Sequence, residues 1–176
     1  VYEAALKNFR PRPQVRMLDW SRRHLIMPTK VPYDHDAYPH LGAPGGPCDA
    51  VDDPLIRTIW LMFASRLGKT AFGLGFLIFC EATCPGPGML ATADEKLAKE
   101  LVTTKLYPML EKSPLAGLLR PARNRKNDRV DLPDARIYIG WARSASTLAD
   151  KGIKYGHANE LDKWEHESTS KEADPG

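Results

Sequence analysis

The chain has 176 residues, a formal net charge of +3 and 43% hydrophobic residues, which is enough apolar material for one domain with its own core and too much for a disordered tail. Four tryptophans and 27% charged residues fit a globular protein and exclude collagen, coiled-coil and mucin-like compositions. The longest apolar runs, residues 58–64 and 73–80, are too short to cross a bilayer, and no apolar segment follows the basic residues near the start. Neither a membrane span nor a secretory signal is expected, and the default location is intracellular.

In chain order, the lead-in carries prolines at 11, 13, 28, 32, 39, 44, 47 and 54. Proline breaks helices and sheet ladders, so only one short helix is expected there, over residues 17–24. Arg10, Arg12, Arg16, Arg22 and Arg23 crowd the same segment. Asp34-His35-Asp36 with His40 has metal-ligand chemistry but sits among prolines, and reads as a solvated loop. Residues 58–64 form a continuous apolar run that predicts a strand buried on both faces. A helix over 71–82, a strand over 89–92 and an amphipathic helix over 94–110, punctuated by Leu97, Leu101, Leu106 and Leu110, follow. Residues 120–134 are polar and basic, with Arg120, Arg123, Arg125, Lys126 and Arg129; they read as a solvated loop that could meet phosphates. A strand over 135–141, a short helix over 144–150 and a strand over 152–158 complete the series. Strands alternating with helices predict an α/β fold with a mainly parallel sheet. Cys48, Cys80 and Cys84 are an odd set, which rules out a complete disulfide framework within the chain. Cys80 and Cys84 read as core residues in preference to a two-ligand metal site.

Gly68-Lys69-Thr70 falls where the first predicted strand hands over to a helix. Backbone N–H groups in such a turn, with the positive end of the helix dipole, cradle phosphates; Lys69 would reach the terminal phosphates and the Thr70 hydroxyl would sit on Mg²⁺. The full Walker A pattern puts glycine at position 63, where this chain has Phe63, and the small pair Ala64-Ser65 opens the loop instead. Such a loop needs an acidic partner on a neighbouring strand. Asn159-Glu160 is the candidate pair, with Asn159 in the place of the usual aspartate. A neutral amide orients a water without the charge that attracts Mg²⁺; Glu160 is the candidate general base. His157 reads as a packing residue. Ser144, Ser146 and Thr147 lack a matching histidine and acid, so nucleophilic catalysis has no support.

The run Phe63-Ala-Ser-Arg-Leu-Gly-Lys-Thr70 resembles the variant Walker A of large terminase subunits, the DNA-packaging motors of tailed phages, which carry an arginine inside the loop and lack its first glycine. Asp49-Ala-Val-Asp-Asp-Pro54, Leu90-Ala-Thr-Ala-Asp94 with the helix that follows it and Lys112-Ser-Pro114, Gly140-Trp-Ala-Arg-Ser-Ala-Ser-Thr-Leu148, and Asn159-Glu-Leu-Asp-Lys-Trp164 resemble the lambda-type branch in order and spacing. The resemblance covers residues 49–176 and implies a RecA-like ASCE P-loop fold in three layers, with residues 1–50 as lead-in and 51–176 as the first part of the ATPase domain, incomplete at its C-terminal end and without the nuclease domain of full-length members. It implies ATP and Mg²⁺ as cofactors, and ATP binding by Ala64, Ser65, Arg66, Leu67, Gly68, Lys69 and Thr70. Glu160, Arg66 and Lys69 would be catalytic, with Arg66 responding to the γ-phosphate, and Thr70 and Asn159 would hold the metal, through water at Asn159. An aromatic residue of the lead-in, Tyr33, Tyr38 or Trp20, would stack on adenine, and the DNA-contacting residues stay unassigned. The implied partners are double-stranded DNA, a small terminase subunit, the portal and procapsid, and further copies in a ring. The implied setting is the host cytoplasm or a prophage-bearing bacterium, without a membrane. A helicase-like or repair ATPase, and a nucleotide-binding assembly module without hydrolysis, are the alternatives.

Overall fold

The structure, a computed structural model, describes residues 15–27, 38–142, 144–149 and 151–164. Arg10, Arg12, Tyr33 and Asp34-His35-Asp36 lie outside them. Helix α1, Met17–His24, forms as expected, with Asp19 in its first turn and Arg22, Arg23 and His24 in its last, the order that suits the helix dipole. Its Trp20 packs edge-on against Phe79 at 5.6 Å. The short α2, Pro39–Gly42, and α3, Pro47–Asp52, each open on proline, whose missing N–H costs nothing in a first turn. Arg16 reaches Asp49 of α3 at 2.5 Å, and the Met17 N–H donates to Asp52 at 2.8 Å, so α1 and α3 are tied together.

Helix α4, Lys69–Thr83, is apolar nearly all round, the pattern of a helix enclosed by protein. Phe72, Leu74, Leu77 and Ile78 are buried there with Leu90, Ile137 and Ile139 of the sheet in one core. The strands are β1, Pro87–Thr92; β2, Arg129–Asp131; β3, Arg136–Trp141; and β4, Tyr155–Ala158. Their order is β2-β3-β1-β4, with β3 and β4 both parallel to β1 and β2 antiparallel at the far edge. Helix α5, Glu95–Leu101, is capped by the Asp94 carboxylate, which accepts the Leu97 N–H at 2.8 Å. It runs through a π-helical turn, Val102–Leu106, into α6, Tyr107–Leu110. Pro108, with no N–H to give, sits at that junction, where a wider turn absorbs the missing bond. A last short helix, α7, spans Ala145–Leu148.

Three expectations are corrected. Residues 58–64 are not a strand: they run without a ladder partner among the described residues, and Trp60 and Met62 are 72% and 90% exposed. Leu61 and Phe63 do pack against the core, so the run is extended with one face inward only. Its apolarity reports a preference for burial, whereas a strand also requires a neighbour for its N–H and C=O groups. Second, the basic stretch is not all loop, because Val130 is buried and carries β2 onto β3. Third, Cys84 is exposed, since α4 ends there with the Cys84 N–H on the Cys80 carbonyl; Cys48 is buried and Cys80 half-buried.

Candidate functional site

The loop before α4 takes its shape from two left-handed residues, Arg66 at φ 64° and Gly68 at φ 80°. Glycine tolerates that region freely. A Cβ at position 68 would also lie 3.1 Å from the Tyr38 ring and 3.2 Å from Leu41. Helix α4 then begins at Lys69 with no side-chain cap, so its first N–H groups have no protein acceptor of that kind. Uncapped donors at the positive end of a fifteen-residue helix suit an anion, and phosphate fits this donor set. The Lys69 ammonium folds across the loop, donating to the carbonyls of Phe63 at 2.5 Å and Ala64 at 2.9 Å. Ala64, Ser65, Arg66 and Leu67 are exposed.

Across from the loop, the Asn159 N–H donates to the Ala91 carbonyl at 2.8 Å and so extends the β4–β1 ladder by one residue. That places the Asn159 side chain, 4% exposed, where the Thr70 hydroxyl donates to its Oδ1 at 3.1 Å. The two oxygens are neutral, and oxygen donors of this sort fit Mg²⁺ without a strong electrostatic pull. Among the described residues no group of three or more His, Cys, Asp or Glu is arranged to hold a metal. Glu160, next in the chain, is left-handed at φ 53°, and its Oε2 meets Lys163 Nζ at 2.7 Å.

His40, which reads from the sequence as part of a solvated loop, lies beside the loop that precedes α4. Its Nε2 stands 3.1 Å from the Leu67 carbonyl, so the tautomer protonated there donates to the loop. Its ring lies edge-on to Phe63 at 4.9 Å and to Tyr38 at 6.2 Å. The proline-rich context hid this, because nothing in it predicts that α2 folds back on residues 63–68. Of the three aromatic residues expected near adenine, Trp20 is buried on α4, Tyr38 adjoins Gly68, and Tyr33 lies outside the described residues.

His157 packs on the flank of α4 as expected. A Cβ at Gly73 would fall 2.2–2.4 Å from its ring atoms, and its buried Nε2 has no hydrogen-bond partner. Burial lowers its pKa to about 4, against a hydrogen bond with Asn159 that pulls the other way. Farther along α4, burial pushes the Glu81 carboxyl up to about 7, with the Tyr155 hydroxyl, the Gly86 backbone and Lys154 opposing. The two shifts act on stability with opposite signs. Native His157 binds fewer protons than the unfolded chain between about pH 4 and 6.5, so its contribution is lost as pH falls through that window. Native Glu81 binds more protons between about pH 4.5 and 7, so its contribution is lost as pH rises. Each term is on the order of 3 kcal/mol, and they oppose one another. Urea unfolding between about pH 5 and 7 should therefore give a stability that rises more steeply with pH for Glu81→Gln than for the parent. Equal slopes for the two proteins would remove the assignment.

Residues 28–176 match the family described as "Phage terminase large subunit gpA, ATPase domain". The chain belongs to this family. Its mixed α/β architecture with a four-stranded, mostly parallel sheet is compatible with a P-loop ATPase domain. An ATPase domain implies ATP hydrolysis, and here the start of α4 and the end of β4 come together through Thr70 and Asn159. No curated protein and no solved structure matches the chain. No helix among the described residues of this terminase domain is long and apolar enough to cross a membrane.

Proposed function

We propose that this chain is the first part of a RecA-like ASCE motor domain, residues 51–176 behind a lead-in of residues 1–50, that couples ATP hydrolysis to moving double-stranded DNA into a phage procapsid. The observation that supports the reading is the 3.1 Å contact between Thr70 and Asn159, residues 89 apart in the chain, which brings the start of α4 against the residue that precedes Glu160. The α4 N–H groups, Lys69 and the backbone of residues 64–68 would bind the phosphates, and the exposed Arg66 would supply positive charge to the γ-phosphate. Thr70 directly, and Asn159 through water, hold Mg²⁺, which when bound supplies charge neutralisation at the phosphate oxygens. Glu160 orients the attacking water and takes its proton. DNA is held chiefly through its phosphates, hence without sequence preference and with strong salt dependence. The partners in this reading are the small terminase subunit, the portal and further copies of the chain in a ring, all in the host cytoplasm.

The test is Mg²⁺-dependent ATP turnover, measured with and without duplex DNA. Turnover that duplex stimulates supports the motor. Asn159→Asp is expected to lower the Mg²⁺ concentration needed for half-maximal rate several-fold, because a carboxylate replaces a neutral amide. The neutral Asn159 favours one rival, a nucleotide-binding assembly module, and no turnover in either the parent or Asn159→Asp would decide for it.

A further inference from the structure

The outer edge of the sheet, at the end away from the phosphate loop, carries a second charged site. The β2–β3 hairpin brings Asp131 opposite Arg136, and three guanidiniums converge on the Asp131 carboxylate: Arg136 at 2.7 Å, Arg129 at 3.3 Å and Arg120 at 3.7 Å. The Asp131 side chain is 8% exposed. Its burial raises the carboxyl pKa, but the hydrogen bonds from Arg129 and Arg136 outweigh that and hold it below the usual range. The loop before β2 is built by fixed contacts. The Tyr107 hydroxyl donates to the Lys126 carbonyl at 2.8 Å, Arg125 lies over the Tyr107 ring at 5.0 Å, and Arg125 Nε donates to the Arg120 carbonyl at 3.0 Å. The resulting cleft is walled by Arg120, Arg125, Lys126 and Arg129 with the carboxylate of Asp131 among them, and Arg125 is paired from outside the cleft by Glu111 at 2.5 Å. Among the described residues, the Lys126 ammonium and the exposed neighbouring Arg123 have no acidic partner.

We infer that this cleft binds phosphate groups of a nucleic-acid backbone, and that its ligand is duplex DNA. One buried carboxylate facing three arginines does not neutralise them, and its hydrogen bonds orient two of them, Arg129 and Arg136. Arg129 and Arg136 spend Nε on Asp131, and the terminal nitrogens of Arg129 meet no acceptor among the described residues. Guanidiniums ordered in advance lose less freedom when a phosphate arrives, and their planar fork matches phosphate oxygens. Arginine outnumbers lysine three to one in the wall, and its planar fork can meet two oxygens of one phosphate group at a time. The inference rests on the proposed DNA-moving role, but the site is remote from the nucleotide loop and fails separately from it.

The experiment measures binding of the protein to a labelled non-specific duplex over a salt series. The variants are Arg123→Gln/Lys126→Gln, the charge-matched control Arg22→Gln/Arg23→Gln, and Asp131→Asn; ATP affinity and the unfolding midpoint are measured on all of them. Loss of Arg123 and Lys126 should reduce the log–log salt slope by about 2 and weaken binding at least tenfold, with the control pair close to the parent. Asp131→Asn adds one positive charge, so unstructured electrostatics predicts tighter binding, whereas loss of the carboxylate that orders the arginines predicts weaker binding at unchanged ATP affinity. An equal effect of both double variants, or tighter binding by Asp131→Asn, overturns the inference. So does a change in affinity for inorganic tripolyphosphate without one for the duplex, which would assign the cleft to a small anion.

Discussion

Glu160→Gln is expected to leave ATP binding within about twofold of the parent and to lower kcat by about 100-fold or more, the scale at which removing a positioned general base acts. The amide keeps the size and the hydrogen-bonding reach of the carboxylate but takes no proton. Glu160 is also held in a conformation that its residue type disfavours, at φ 53°, at a backbone cost of about 1 kcal/mol. Glu160→Gly should thus match or exceed the parent in stability while losing turnover to the same degree. A site kept for its fold would behave in the reverse manner. The ion pair with Lys163 at 2.7 Å is formed by a half-buried carboxylate and a lysine 61% exposed. Pairs so open to water are weak, so the carboxylate can leave its partner when a nucleotide is present. Lys163→Met is accordingly expected to change kcat by less than about threefold. A loss comparable to that of Glu160→Gln would make the pair part of the working site. Steady-state ATPase kinetics with nucleotide titrations decide among these outcomes.

Gly73→Ala carries the second large effect. Alanine is normally the better helix former, by about 1 kcal/mol. At this position, however, its Cβ would stand 2.2 Å from His157 Cε1 and 2.3 Å from Nε2, far inside contact distance. Either α4 lifts from β4 or the ring leaves its pocket, and overpacking of this kind costs on the order of 1–3 kcal/mol. Removing the obstruction in Gly73→Ala/His157→Ala should return part of that loss, so the double variant is expected to be more stable than the sum of the singles predicts. Denaturant unfolding of the four proteins measures the coupling, and strict additivity would show that the ring and the helix do not meet. The same displacement moves Thr70 relative to Asn159, one helical turn away, so Gly73→Ala should also weaken nucleotide binding.

Much of this was legible in the sequence because it depends on local rules. The helices at 17–24 and 69–83 and the strands at 87–92 and 136–141 follow from apolar spacing and from the proline and glycine residues that bound them. The nearness of Thr70 to Asn159 was legible in outline, since the resemblance to a phosphate loop implies a partner on a nearby strand. Three features depend on long-range neighbours and were not legible. Residues 58–64 have the composition of a buried strand, yet a strand is a relation between two chains of amides, and no composition specifies the second. In β2, Arg129 and Asp131 flank Val130, one apolar side chain among charges, too little for a period-two signal. His40 lies between prolines, and its place beside Leu67 is fixed by the packing of Tyr38 and Leu41 on Gly68.

The strand order also sets the sequence in which the molecule can assemble. Among the described residues, strand β4 joins the sheet by pairing with β1, Gly88 against Tyr155, across a long stretch of intervening chain that includes β3. Such contacts form late, because the entropy of closing the intervening chain must be met before the pairing returns anything. A chain emerging during synthesis presents Lys69 and Thr70 well before Asn159 and Glu160. On the proposed reading, the loop over residues 64–68 is therefore made before Asn159 and Glu160, and ATP turnover would await the docking of β4.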